Sequence, residues 1–266
     1  MLASPRCSRR RACRWCRTSS YAAGRGRGTA PRRDTPPPAG LYVGGVEFLG
    51  AGRSADVYAL DGERVLRRYR IDADARRESA VMVYVGAHGY PVPRVYPEEG
   101  TATDLVMERL AGPTMLRALV DGEMTAEEAG RTLARLLRRL HDIPARFSAE
   151  PADRILHLDL HPDNVLLTPS GPVVIDWCNT QEGSPALDCG LSAVILAQAA
   201  VDGESGLAGP ARQVLVALVA ELGDALAHGE ALDRAAALRA ADRALTPRET
   251  ALLDDAVALV RALRRS

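Results

Sequence analysis

The sequence predicts an α+β fold with two lobes, a small N-terminal antiparallel β lobe and a larger helical C-terminal lobe. Before position 110, short apolar runs are separated by Gly-rich and Asp-Gly turns, which is typical of hairpin-connected strands. After position 110, apolar residues recur at helical spacing and Ala and Leu become abundant. We therefore expect the β lobe over residues 41–110 and the helical lobe over residues 111–266.

Residues 1–40 differ from the remainder, because they hold ten Arg and a single acid and show no apolar periodicity. Such a segment buries too little apolar surface to offset the entropy of ordering, so we expect a disordered extension. Cys13 and Cys16 have the C-x-x-C spacing of half a zinc site, but no second pair and no His lies near them. The favoured interpretation is an unstructured tail without a metal.

Charge and hydropathy exclude several classes of function. The chain contains no Lys, and beyond residue 40 it carries 24 Arg against 33 acids, so nucleic-acid binding by the folded part is not expected. No stretch has the length of a membrane span or the apolar core of a signal peptide. We expect a cytoplasmic protein that does not enter the membrane.

The β lobe is predicted to contain four strands and one helix. Its three successive antiparallel strands are predicted at residues 46–49, 56–60 and 65–69. Asp61-Gly62 lies between two apolar runs and predicts the second hairpin turn. A helix over residues 74–87 and a strand over residues 104–108 complete the lobe.

The helical lobe is predicted from caps and apolar stripes. Thr125 and Glu128 form a capping box, and the Leu residues between 133 and 140 form one apolar stripe behind it. Further Ala- and Leu-rich helices are predicted at residues 186–200, 207–228, 229–245 and 248–264.

A hairpin between residues 164 and 176 carries the polar residues that are candidates for a metal and substrate site. Two short apolar strands flank a Pro- and Gly-containing turn, Asn164 enters the first strand, and Asp176 leaves the second. Antiparallel pairing brings both side chains to the same end of the ribbon, and Asp159 lies one loop away. Two acids and an amide that converge in this way suit Mg²⁺ held together with substrate phosphates.

This segment resembles the catalytic loop of the protein-kinase-like superfamily, and of the aminoglycoside phosphotransferase family in particular. His157, Asp159 and Asn164 match the pattern H-x-D-x-x-x-x-N, and Asp176 follows the next hairpin as the pattern requires. The resemblance implies that Asp159 is the catalytic base and that Asn164 and Asp176 hold Mg²⁺. It also implies ATP or GTP as the phosphoryl donor.

The resemblance extends over much of residues 44–190 and implies a set of nucleotide-binding positions. Gly50, Gly52 and Val57 are similar to a Gly-rich phosphate loop, whereas Glu108 and Leu110 are similar to the segment whose backbone holds adenine. The nucleotide-binding residues implied are Gly50, Gly52, Val57, Arg67, Glu78, Glu108 and Leu110.

An Arg stands where the family has a phosphate-binding Lys on the third strand. The register leaves Arg67 and Arg68 open, and strand alternation favours Arg67, with Glu78 as its implied ion-pair partner. Asp188 matches the Asp that braces the catalytic loop from below.

The resemblance implies a small hydroxyl acceptor and no protein substrate. Only eleven residues separate Asp176 from Asp188, and no peptide-binding activation segment ending in Ala-Pro-Glu follows Asp176. Because Arg is bulkier and planar, its presence at the Lys position keeps a second hypothesis open, a nucleotide-binding pseudokinase or regulatory module without turnover.

Overall fold

The computed structural model describes residues 46–52, 55–70, 74–226, 229–242 and 245–265. The predicted extension over residues 1–40, with Cys13 and Cys16, lies outside the described residues.

The N-terminal region forms a four-stranded antiparallel sheet with the strands in chain order. Its elements are β1 (Glu47–Ala51), β2 (Ala55–Ala59), β3 (Arg64–Tyr69), α1 (Ala75–Ala87) and β4 (Asp104–Glu108). At the predicted β2–β3 turn, the Asp61 carboxylate accepts hydrogen bonds from the backbone N–H groups of Glu63 and Arg64. Asp74 caps α1 by accepting from the N–H of Arg76. The four predicted strands and the predicted helix are confirmed.

The C-terminal region is mainly helical. Its helices are α2 (Met115–Asp121), α3 (Ala126–His141), α4 (Pro185–Val201), α5 (Ala208–Leu222), α6 (Glu230–Ala240), α7 (Pro247–Ala251) and α8 (Leu253–Arg265). The capping box of Thr125 and Glu128 is present at the start of α3. Three predicted helices differ from expectation. α5 ends at Leu222, before Gly223, whose φ is 52°; α6 ends at Ala240 rather than at residue 245; and the last helix is interrupted at Leu252.

Two short ribbons lie between α3 and α4. The strands are β5 (Arg154–Leu156), β6 (Val165–Thr168), β7 (Gly171–Val174) and β8 (Gln181–Gly183). The predicted hairpin is the antiparallel pair of β6 and β7, in which Val165 lies opposite Val174. The sequence did not predict the pairing of β5 with β8, which brackets the loop that contains His157, Asp159 and Asn164.

A close helix crossing between α3 and α5 depends on Gly130. A Cβ at this position would lie 2.5 Å from Cβ of Ala217 and 2.6 Å from the carbonyl oxygen of Val214. We expect Gly130→Ala to destabilise the protein by about 1–3 kcal/mol, because overpacking outweighs the roughly 1 kcal/mol that Ala gains in a helix. Urea denaturation measures this change.

Gly209 in α5 is the matched control, because a Cβ added there meets nothing within 4 Å. We expect Gly209→Ala to be neutral or stabilising by up to about 1 kcal/mol. Equal effects of the two substitutions would contradict the close crossing.

Candidate active site

His157 organises the backbone of the loop that carries Asp159, from a fully buried position. Its Nε2 lies 3.1 Å from the carbonyl oxygen of Ile175, and its Nδ1 lies 3.3 Å from the backbone N–H of Asp159. Both contacts are satisfied when Nε2 carries the proton and Nδ1 accepts. The imidazole packs edge-on against Trp177, with ring centroids 4.8 Å apart. His157 therefore has a structural role between the loop and the hairpin.

Asp188 braces the same loop from the first turn of α4. Its buried carboxylate accepts from the backbone N–H groups of His157 at 2.9 Å and Leu158 at 2.8 Å. His141 Nε2 makes a third contact, at 3.0 Å. Burial raises the pKa of Asp188, but the hydrogen bonds from His141 and His157 outweigh it and the pKa is lowered. The carboxylate is thus held in its charged, accepting form.

Two residues of the site have left-handed backbone conformations. Leu158 has φ of 61° and Asp176 has φ of 66°, a region that non-Gly residues rarely adopt. Such conformations cost about 1–3 kcal/mol each and persist where surrounding contacts impose them, often at functional sites. At Leu158 the imposing contact is the hydrogen bond from its N–H to Asp188.

The structure brings Asp159, Asn164 and Asp176 to one end of the β6–β7 hairpin. Asn164 Nδ2 donates to the backbone carbonyl of Asp159 at 2.8 Å and lies 3.3 Å from its Oδ2. The N–H of Ile175 donates to the carbonyl of Asn164 at 3.0 Å, which joins the two ends of the ribbon. Asp159 is also 3.7 Å from Nε2 of His161.

The donor set at this end fits Mg²⁺. Because Asn164 donates through Nδ2, its amide oxygen is left as an acceptor, and Oδ2 of Asp176 has no hydrogen-bond donor in the described part of the chain. Within that part, no cluster of three or more His, Cys, Asp or Glu side chains could hold a metal by itself. Asn164 and Asp176 therefore suit a hard cation that takes its remaining oxygen ligands from phosphates and water.

Arg67 connects the sheet, α1 and the hairpin. Its guanidinium contacts Oε1 of Glu78 at 3.2 Å and Oδ1 of Asp176 at 2.7 Å, and its side chain is nearly buried. Arg68 points to the other face of β3 and makes two 2.8 Å hydrogen bonds to Asp104. Arg67 is therefore the Arg that faces the site, as strand alternation predicts.

Burial and the neighbouring charges shift the pKa values of the acids in this cluster. Burial raises the pKa of Asp176, but the Arg67 guanidinium outweighs it and brings the pKa to about 2. For Glu78 burial prevails over Arg67, so the pKa is raised. Glu78 Oε1 also accepts from the N–H of Trp177 at 3.0 Å, whereas its buried Oε2 has no partner among the described residues.

The positions predicted to bind the nucleotide lie on the sheet and at its last strand. Gly50 is opposite Val57 beside a β-bulge in β1, and Val57 is buried. Glu108 is fixed by two contacts with Arg94, while Leu110 makes no backbone hydrogen bond among the described residues. This leaves the N–H and carbonyl of Leu110 available to a ligand.

Sequence reasoning missed His141, which holds Asp188. His141 follows Leu137 by four residues, so helical periodicity places it on the apolar, buried side of α3. The sequence signal that could have revealed this contact is a His at the end of the apolar face of α3.

Comparison with known proteins identifies a family and similar folds. The family model described as "Phosphotransferase enzyme family" matches residues 45–154 and 146–203, which together exceed half of the 266-residue chain. The fold is similar to the ADP-bound aminoglycoside phosphotransferase APH(2'')-Ib, with a TM-score of 0.50 and 12% identity, covering 84% of this chain and 95% of that one. It is also similar to APH(2'')-IIa in its gentamicin complex, with a TM-score of 0.52 and 13% identity, covering 84% and 91%.

Curated relatives match over a shorter part of their length. A probable protein kinase UbiB from Vibrio vulnificus strain YJ016 is 28% identical over 125 residues, which cover 45% of this chain and 20% of that protein. The corresponding protein from Vibrio campbellii is 27% identical over 150 residues, covering 53% and 25%. The chain thus spans a quarter or less of these relatives.

A bilayer-spanning helix, judged by length and apolarity, is absent from the described residues. The matched region contains the four-stranded sheet, the loop that carries Asp159 and the β6–β7 hairpin that precedes Asp176. The chain therefore belongs to the phosphotransferase enzyme family.

Proposed function

We propose that the protein is a small-molecule kinase that transfers the γ-phosphoryl group of ATP or GTP to a hydroxyl of a small acceptor. The observation that carries the proposal is the convergence of Asp159, Asn164 and Asp176 at one end of the β6–β7 hairpin, with Arg67 contacting Asp176. An acid that can take a proton, an oxygen pair that suits Mg²⁺ and a buried cation are the parts that phosphoryl transfer requires.

In this mechanism Asp159 accepts a hydrogen bond from the acceptor hydroxyl and takes its proton as the oxygen attacks. A bond forms between that oxygen and the γ-phosphorus, while the bond from phosphorus to the β–γ bridging oxygen breaks and the nucleoside diphosphate leaves. Asn164 and Asp176 would hold Mg²⁺, which when bound offsets the negative charge of the phosphates. Gly50, Gly52, Val57, Glu108 and Leu110 would position the nucleotide. Arg67, held by its ion pair with Glu78, would contact the phosphates.

The short segment after Asp176 supports a small acceptor rather than a protein. Within eleven residues the chain forms β8, which pairs with β5, and then enters α4 at Pro185. This leaves no extended platform on which a peptide substrate would lie.

A screen for nucleoside diphosphate release tests the proposal. Purified protein with Mg·ATP or Mg·GTP is combined with hydroxyl compounds, namely sugars, amino alcohols, hydroxy acids and aminoglycosides. We expect ADP or GDP release that depends on one class of acceptor, with a phosphomonoester detected by ³¹P NMR. Release that is independent of every acceptor, or transfer to a protein such as casein, would contradict the proposal.

A nucleotide-binding module without turnover is the second candidate, and one contact favours it. Arg67 Nη2 lies 2.7 Å from Oδ1 of Asp176, so the guanidinium occupies one oxygen of the carboxylate that would hold Mg²⁺. Saturable nucleotide binding combined with no diphosphate release from any acceptor would favour this candidate.

A further inference from the structure

A cavity beside Asp159 is lined by equal numbers of acidic and basic side chains among the described residues. It measures about 300 Å³ and is lined by Asp159, by the loop after Asp176 and by residues of α1 and α6. Its described lining contains two carboxylates and two guanidinium groups, those of Asp159, Asp242, Arg77 and Arg239. The cavity therefore differs from the acidic pocket that a polycationic acceptor needs.

One of the two guanidinium groups is already neutralised. Arg239 Nη1 lies 3.2 Å from Oδ2 of Asp242, and its Nε donates to Oε1 of Gln198 at 2.8 Å. Gln198 is buried and donates in turn to the carbonyl of Glu249 at 2.9 Å. These contacts fix Arg239 and pair its charge with Asp242.

Arg77 has no such partner. Arg77 is an exposed residue whose Nη2 donates a 3.3 Å hydrogen bond to the carbonyl of Thr180, and no carboxylate pairs with it among the described residues. An Arg fork in a cavity, with its charge not neutralised, favours a ligand that carries an anionic group. The same cation would repel an aminoglycoside, and the described lining offers it no carboxylates besides those of Asp159 and Asp242.

The remaining wall of the cavity is apolar. Leu158 and Leu191 are buried and Leu238 packs against them. Because a cavity of about 300 Å³ is at the small end of ligand sites, it suits a short aliphatic compound better than a multi-ring sugar.

Resting on the kinase function proposed above, we infer that the acceptor is a small aliphatic hydroxy acid. Its hydroxyl lies at Asp159, its carbon chain contacts the Leu158–Leu191–Leu238 wall, and its carboxylate binds Arg77. Arg77 is thus the residue that selects an anionic acceptor over a cationic one.

Direct binding to the full chain tests this inference. Isothermal titration in the presence of Mg·ADP uses D-glycerate, L-serine and L-homoserine as hydroxy acids. Glycerol and ethanolamine serve as analogues without the carboxylate, and kanamycin serves as the polycation. We expect saturable binding of at least one hydroxy acid, and binding at least about tenfold weaker for the other compounds.

Arg77→Gln is expected to weaken hydroxy-acid binding at least about tenfold and to leave Mg·ADP binding unchanged. Arg76→Gln is the matched control, because Arg76 is the neighbouring Arg on α1, is exposed like Arg77 and lines a different cavity. It is expected to bind the hydroxy acid like the unmodified protein.

Three outcomes would overturn the inference: no binding of any hydroxy acid, tighter binding of kanamycin, or an Arg77→Gln protein that binds as well as the original. The proposed function is judged separately by diphosphate release. Hydroxy-acid binding without release would leave the carboxylate site standing and remove the proposed transfer. Diphosphate release with a cationic acceptor alone would support the proposed transfer and remove the carboxylate site.

Discussion

Asp159→Asn is expected to lower kcat by about 10²–10⁴-fold, the usual contribution of a positioned general base. Asn keeps the shape and one acceptor oxygen, but it cannot take the proton of the acceptor hydroxyl. Asn164 contacts the Asp159 backbone carbonyl as well as its side chain, so the loop keeps its main support in the variant. Turnover is measured with the best acceptor from the diphosphate-release screen.

Nucleotide affinity is expected to change little in Asp159→Asn, because the implied nucleotide contacts come from the sheet, Arg67 and Asp176. Asp142→Asn is the control: this acid is exposed just after α3 and is not part of the proposed site. Turnover in Asp159→Asn equal to that of the control would remove Asp159 from the role of base.

Asp188→Ala is expected to destabilise the protein by about 3–5 kcal/mol, because it removes a fully buried carboxylate that receives three hydrogen-bonding contacts. The N–H groups of His157 and Leu158 would be left buried without an acceptor. Leu158 would also lose the hydrogen bond from its N–H to Asp188 that holds its left-handed conformation. Urea denaturation followed by far-UV circular dichroism measures the loss.

Asp188→Asn provides a second variant if Asp188→Ala does not fold. Its amide retains one acceptor oxygen and turns an NH₂ group toward a donor, so we expect an intermediate loss of stability. Asp142→Ala is the surface control, with an expected change within about 0.5 kcal/mol. A denaturation midpoint for Asp188→Ala that matches the control would show that Asp188 does not support the loop.

The sequence predicted the turns and helix caps that depend on residues a few positions apart in the chain. The Asp61-Gly62 turn, the capping box of Thr125 and Glu128, and the turn before β7 each act over a few residues. Long-range pairing has no such local cause. The three-residue strands β5 and β8 carry no periodicity of their own, and α2 is a single short helix between Thr114 and Gly122.

The candidate site was predictable where a motif fixed the spacing, as for Asp159, Asn164, Asp176 and Asp188. Which side chains pair with each other in the site was less predictable, because these contacts depend on three-dimensional geometry. Sequence alternation favoured Arg67 over Arg68, and the structure places only Arg67 against Glu78. The contact of Arg67 with Asp176 was not predicted, since it joins residues from the sheet and from the distant hairpin.

The most direct test of a working nucleotide site is a thermal-shift titration with Mg·ATP and Mg·GTP, made in parallel on Asp176→Ala. A ligand that binds the folded state raises Tm as its concentration rises. We predict a rise that needs Mg²⁺ in the unmodified protein and is absent in Asp176→Ala, with each protein compared with its own nucleotide-free sample. No rise with either nucleotide in folded protein, or an equal rise in the variant, would contradict the proposed site.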